Sequence, residues 1–228
     1  MTSPQEDAEL VRAGRAGLGD NSAKTSRAPR GLAERALRNV KADRERFHVR
    51  LAVAQWIVRK LPYGTLSPVR VALYRLAGLS KISRTAILAG PLDLVGDGDI
   101  YPRLAIGDYT FINWPCYIEL SAPVTIGDRV GIGNHLTVVT SSHRLGPRQQ
   151  RMSSLTRRPV VIGNGVWIGA NVVILPGVTV GDGAFLTAGA VITKDVPPNA
   201  QMAGNHAQVV GWIDPETGKV TRVEKSTS

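Results

Sequence analysis

A mainly β fold, a parallel β-helix of about five coils behind an N-terminal helical segment, is what three features of this chain predict. The first is a beat of six: residues 162–197 read IGNGVW, IGANVV, ILPGVT, VGDGAF, LTAGAV and ITKDVP, with an aliphatic residue leading each hexad and Val or Ala at its fifth position. The second is an earlier run of the same beat, led by Leu88, Leu94, Ile100, Ile106, Ile112 and Ile118 and then, after a slip of two residues, by Ile126, Ile132 and Val138. The third is the stop in that beat over residues 139–159, which reads as a loop inserted into an otherwise regular coil.

A six-residue period suits neither an amphipathic helix nor an alternating strand, so each hexad is read as a short strand plus a turn with its lead side chain inward. Gly163, Gly169 and Gly181 follow their leads where the chain must bend. Three hexads close one triangular coil, and fifteen give five coils, about 24 Å of stacked sheet at roughly 4.8 Å per layer. Only 5% of the residues are aromatic. A narrow interior filled by Ile, Val, Leu and Ala accounts for that shortage.

In chain order, residues 1–30 are expected to be a disordered tail and residues 31–84 a basic helical segment. Residues 85–213 form the β-helix with its insertion at 139–159, and residues 214–228 a polar, frayed tail. Within the helical segment, Phe47, Leu51, Ala54, Val58 and Leu61 make one apolar face. A second helix opens at Ser67 as N-cap with Pro68 in its first turn, presents Val69, Leu73 and Leu76, and stops at Gly78. The pair would cover an open end of the coil.

Charge is unevenly placed. The net charge is +10, with 17 Lys/Arg against 7 Asp/Glu in residues 1–84 and 11 against 11 thereafter. A basic flank of Arg44, Arg46, Arg50, Arg59, Lys60, Arg70 and Arg75 suits peripheral contact with anionic lipid, or simply a solvated face. No nucleic-acid-binding motif accompanies it, so no nucleic-acid partner is expected. The first residues carry Glu6, Asp7 and Glu9 with no apolar run behind them, and Cys116 is the single cysteine. Both point to the cytoplasm, and the fifth-position placement of Cys116 to a buried, inert thiol.

These hexads, with ITKDVPPNAQMAGNHAQVVG after them, resemble the hexapeptide-repeat acyltransferases of left-handed β-helix fold. The resemblance covers roughly residues 88–211 and is closest to the galactoside, maltose and colanic-acid O-acetyltransferase group. It implies the left hand of the coil, a homotrimer, acetyl-CoA as cosubstrate, and transfer to a sugar hydroxyl of a glycan, polysaccharide or glycolipid. It further implies that His143, in the insertion, is the catalytic base. The cofactor-binding positions would be Trp167 and Ala170 beside the thioester, Ala188 and Gly189 along the pantetheine arm, and Thr193 and Lys194 near the nucleotide. On the acceptor side it implies Asn113 and Trp114, with Glu119, Leu120 and Ser121 where the galactoside and maltose enzymes carry an Asp pair. Arg144 stands where the family usually has Pro, and is read with the insertion's other arginines as a contact for an acidic acceptor or a coenzyme A phosphate.

The chemistry asks for a group that removes a proton from an attacking hydroxyl, and imidazole does this near neutral pH. Ser141 or Ser142 paired with His143 would give a covalent route instead. His135, His143 and His206 raise histidine-ligated metal as in the carbonic anhydrases that share this fold, but their spacing does not match that pattern and no metal is expected. Transfer to an amino-sugar nitrogen and a non-catalytic scaffold are the alternatives to O-acylation.

Overall fold

The computed structural model describes residues 48–223. The tail at residues 1–30, the helical segment up to Phe47 and residues 224–228 lie outside the described residues.

The chain winds as a parallel β-helix whose three walls recur in strict order. Before it come α1 (Val49–Val58) and α2 (Ser67–Leu76). The first coil holds Ile82, bridged in parallel to Ile106, then β1 (Ile87–Leu88) and β2 (Asp93–Val95). The second is β3 (Leu104–Ile106), β4 (Phe111–Ile112) and β5 (Cys116–Glu119), and the third β6 (Val124–Ile126), β7 (Gly131–Ile132) and β8 (Leu136–Val138). Here the chain leaves the coil as an antiparallel hairpin, β9 (Ser141–Leu145) and β10 (Met152–Arg157). It re-enters with β11 (Val160–Ile162), β12 (Trp167–Ile168) and β13 (Val173–Ile174), followed by β14 (Thr179–Val180), β15 (Phe185–Leu186) and β16 (Val191–Ile192). A sixth, partial coil begins at Val196 and β17 (Ala200–Ala203) and ends in β18 (Gln208–Ile213) and β19 (Val220–Arg222), both antiparallel.

The walls are β14-β11-β6-β3, β1-β4-β7-β12-β15-β17-β18-β19 and β16-β13-β8-β5-β2. Register sets lead on lead in successive coils: Leu104–Ile106 pairs with Val124–Ile126, Ile112 with Ile132, and Ile118 with Val138. All fifteen lead residues, and the fifth-position residues Val166, Val172, Val178, Ala184, Ala190 and Val196, are buried. Cys116 is fully buried, and burial pushes its thiol up to about 12, well away from a nucleophilic thiolate.

At the edge between the first and second walls a ladder of side-chain oxygens ties coil to coil. Asp128 Oδ1 accepts from the Asp108 amide (2.7 Å), Asn164 Oδ1 from Asp128 (2.9 Å) and Asp182 Oδ1 from Asn164 (2.8 Å). The glycines that precede these residues are required by the same contact. A Cβ on Gly107, Gly127 or Gly163 would stand 2.3, 2.5 or 2.2 Å from the oxygen of the next coil. The IGD and IGN tripeptides therefore encode a stacking contact as well as a bend.

Four local expectations are corrected. Ile100 is buried but leads no wall strand; it precedes a 3-10 turn, Tyr101–Arg103, in a twelve-residue excursion from Leu94 to Ile106, and Ile82 supplies the missing first-wall lead. In α2 the inward face is Arg70, Val71 and Tyr74, whereas Leu76 is 80% exposed and Val69 is exposed. Ser67 is not the N-cap: Leu66 is, in a left-handed conformation, and the Ser67 hydroxyl instead accepts from the Leu88 amide (2.8 Å), pinning α2 to the coil. Residues 220–222 form β19 rather than a frayed tail, behind a turn in which Asp214 Oδ1 accepts from the Thr217 amide (2.7 Å).

Gly163→Ala is expected to destabilise the protein by about 1–3 kcal/mol, read as a lower thermal midpoint. Adding Asp182→Ala should recover part of that loss in a double-variant cycle.

Candidate functional site

The insertion is built around one imidazole. His143 lies on β9, and Leu155 of β10 faces it in register. Between Met152 and Leu155 the partner strand carries one extra residue, a bulge that releases the Ser153 carbonyl from the ladder. That carbonyl meets His143 Nδ1 at 2.7 Å. A carbonyl only accepts, so Nδ1 carries the proton and Nε2 of the neutral ring keeps its lone pair. This is the tautomer a general base needs.

The root of the hairpin is fixed by Glu119, at the end of β5. Its carboxylate accepts from the hydroxyls of Ser121 and Ser141 and from the amides of Thr140 (3.1 Å) and Ser141 (3.2 Å). Burial alone would push this carboxyl up, but those four hydrogen bonds outweigh it and hold it below the ordinary carboxylate value. Thr140, fully buried, donates to the Glu119 carbonyl and accepts from the Ala122 amide, both at 3.0 Å. Glu119 thus spends its acceptor capacity on the strand that carries His143. Glu119, Ser121 and Ser141, together with Tyr117, Leu94, His48 and Leu155, line a groove of about 610 Å³ that includes His143. Arg144 follows His143 on the other face of β9 and does not line it.

The remaining residues singled out in the sequence fall on two edges of the prism. Asn113–Trp114, Ala170 and Ala188–Gly189 all lie where the second wall turns into the third, in the second, fourth and fifth coils. The stacking is continuous: His135 N donates to Pro115 O (2.7 Å), Asn171 N to Asn134 O (2.9 Å) and Gly189 N to Ala170 O (2.8 Å). The hairpin and Thr193–Lys194 lie instead where the third wall turns into the first, two coils apart, about 10 Å along the axis. Trp167 stands on the second wall, 60% exposed, stacked on Phe185 with centroids 4.3 Å apart. Trp114 and His143 therefore sit at opposite ends of the third wall and do not meet within one chain.

Sequence reasoning missed Thr140, Tyr117, Leu155 and the Ser153 carbonyl. The first three have ordinary strand identities, and a backbone carbonyl leaves no trace in the residue type. His48 arrives from α1, about forty-five residues before the groove's other members.

Because the folded carboxyl of Glu119 is depressed, the order it gives the hairpin root is present above the ordinary carboxylate value and is lost only as pH falls through its lower folded value. Glu119→Gln, which sets an amide donor against these donors, should speed hydrogen exchange at the Thr140 and Ser141 amides by about tenfold or more at neutral pH.

The family profile described as "Bacterial transferase hexapeptide (six repeats)" matches residues 159–194. Nodulation protein L of Rhizobium meliloti (strain 1021) is 37% identical over 161 residues, 71% of this chain and 86% of that protein. Galactoside O-acetyltransferase of Escherichia coli (strain K12) is 39% identical over 112 residues; the match spans 49% of this chain and about half, 55%, of that relative. A solved hexapeptide-repeat acetyltransferase of Vibrio cholerae, in complex with acetyl coenzyme A, is 29% identical with a TM-score of 0.60, covering 81% of this chain and 91% of the other. With the coil, the hairpin and these likenesses together, the chain belongs to the hexapeptide-repeat acetyltransferases and is an acyl-CoA-dependent acetyltransferase.

Proposed function

We propose that this chain moves the acetyl group of acetyl-CoA to a sugar hydroxyl of a glycan, polysaccharide or glycolipid in the cytoplasm, by direct attack with His143 as base. The observation that carries the reading is the bond from His143 Nδ1 to the Ser153 carbonyl, which leaves Nε2 basic on a ring that lines a groove. The acceptor O–H gives its proton to Nε2 as the oxygen bonds to the thioester carbon. The tetrahedral intermediate collapses with loss of the C–S bond, and the imidazolium returns the proton to the departing thiolate. Backbone amides are suited to stabilising the oxyanion.

The site is formed between copies, in a homotrimer. Support comes from the division of residues between two prism edges: Asn113, Trp114, Ala170, Ala188 and Gly189 share one, while His143 and Thr193–Lys194 share another. Only the hairpin of a second copy brings His143 to the first edge. In this arrangement coenzyme A lies along the upper coils and the acceptor against the lower ones. Glu119 acts by positioning the hairpin, and Arg144 is available for an anionic group of either substrate.

Peripheral membrane contact is a second reading, favoured by α1. Its buried face is Leu51, Ala54 and Val58, yet Val49, Val53 and Trp56, spaced at four and three, are also exposed, beside Arg50, Arg59 and Lys60. An apolar stripe flanked by cations suits an anionic interface near a lipid-linked acceptor.

Coenzyme A release from acetyl-CoA with a panel of glycans and amino sugars tests the transfer. His143→Ala should lower kcat by about 10²–10⁴-fold. Unchanged turnover would remove the base, preference for amino sugars would favour N-acetylation, and no turnover with any acceptor would favour a scaffold. For the membrane reading, the full chain should float with anionic vesicles and the Val53→Asp/Trp56→Asp variant should not; equal flotation of the two sinks it.

A further inference from the structure

Below the Asn113–Trp114 corner, on the same prism edge, lies a second cavity of about 320 Å³ lined by Arg59, Leu61, Tyr63, Arg70, Gly90, Pro91 and Trp114. Gly90 and Pro91 are the first coil's corner, so the cavity continues the line of stacked corners by one coil away from Ala170 and Ala188. The turn between α1 and α2 closes it from the side, with the Tyr63 hydroxyl donating to Asn113 Oδ1.

Arg70 is the unusual member. It is completely buried, and among the described residues no carboxylate pairs with it. Its Nη1 donates to the carbonyls of Thr65 and Leu88, its Nη2 to those of Leu61 and Pro62, and its buried Nε has no partner. Carbonyl oxygens satisfy donors but do not neutralise the charge. The cavity's other cation, Arg59, is paired with Asp93 at 2.9 Å, which leaves the charge of Arg70 unmatched by any acid among the residues that line the cavity. Buried ions are ordinarily matched by an opposite charge. Among the described residues none is paired with Arg70, and an aromatic side chain, Trp114, lines the same cavity.

We infer that this cavity binds an anionic group, a carboxylate or a phosphate, carried by the sugar acceptor, with Arg59 and Arg70 meeting the charge and Trp114 stacking on the ring that bears it. The inference rests on the acyl-transfer reading and names the chemical class of its acceptor. The hairpin that carries His143 leaves the third coil, two coils above this corner, about 10 Å along the axis. The acidic group and the hydroxyl that is acetylated then belong to different parts of an acceptor wider than one pyranose.

The test is made without acetyl-CoA, so that it is independent of whether transfer occurs. The full chain labelled with 5-fluorotryptophan is titrated with D-glucuronate, α-D-glucose 1-phosphate and D-glucose and followed by 19F NMR, the Trp114 signal being assigned with Trp114→Phe. A saturable shift of that signal with either acidic sugar, and none with glucose, is expected, and the acid that binds identifies the group. Arg59→Met should weaken binding by about tenfold or more, and Arg70→Met should abolish it while the other three tryptophan signals hold their positions. An equal response to glucose, no response to either acid, or undiminished affinity in Arg59→Met overturns the inference.

Discussion

The structure depends on one constraint: every coil must lie directly on the coil beneath it, close enough for backbone amides to reach its carbonyls. With that spacing fixed, nothing larger than hydrogen fits at Gly107, Gly127 and Gly163, where side-chain oxygens of the next coil cross the edge. Aliphatic side chains fill most of the interior, because a charged or amide group in a cavity this narrow would find no partner, and the hydroxyl of buried Thr110 is admitted because it bonds the Gly127 carbonyl and the Val130 amide. Regular stacking also fixes where each corner falls, so residues far apart in sequence, such as Trp114 and Gly189, are carried onto one line. The site inherits its geometry from the repeat.

The single long interruption of that repeat among the described residues carries His143 and one wall of the groove. A side chain on a free loop would sample many orientations, and His143 does not have that freedom. Glu119 and Thr140 tie the start of the hairpin to the coil below, and the bulge in β10 offers the Ser153 carbonyl to the ring. A residue that looked like an acceptor contact in the sequence, Glu119, is better understood as the fastening of the strand beside it. Its position in the groove and its use as an anchor are compatible, since both follow from its place at the end of β5.

Much of this was legible beforehand because the six-residue beat is a direct image of the coil. All fifteen lead positions fell inside, as did the fifth positions of the six hexads from Ile162 onward and the thiol of Cys116. The errors occurred where the beat gives no information or false information. Ile100 keeps the period yet sits on an excursion, because a buried aliphatic residue six positions from the last one satisfies the pattern without pairing. The face of α2 was misread because its inward residues include an arginine, Arg70, which a hydrophobic stripe excludes by definition. The hairpin's internal geometry was invisible, since a bulge and a freed carbonyl are properties of the backbone.

The switch of strand direction at the end of the second wall has a bearing on assembly. A stack of parallel coils could in principle grow without limit, each copy seating on the last as a crystal adds layers. Here β18 runs backwards against β17, and the short outermost strand, β19, carries Arg222. A parallel coil from another copy finds no matching template on that wall, which disfavours end-to-end stacking there.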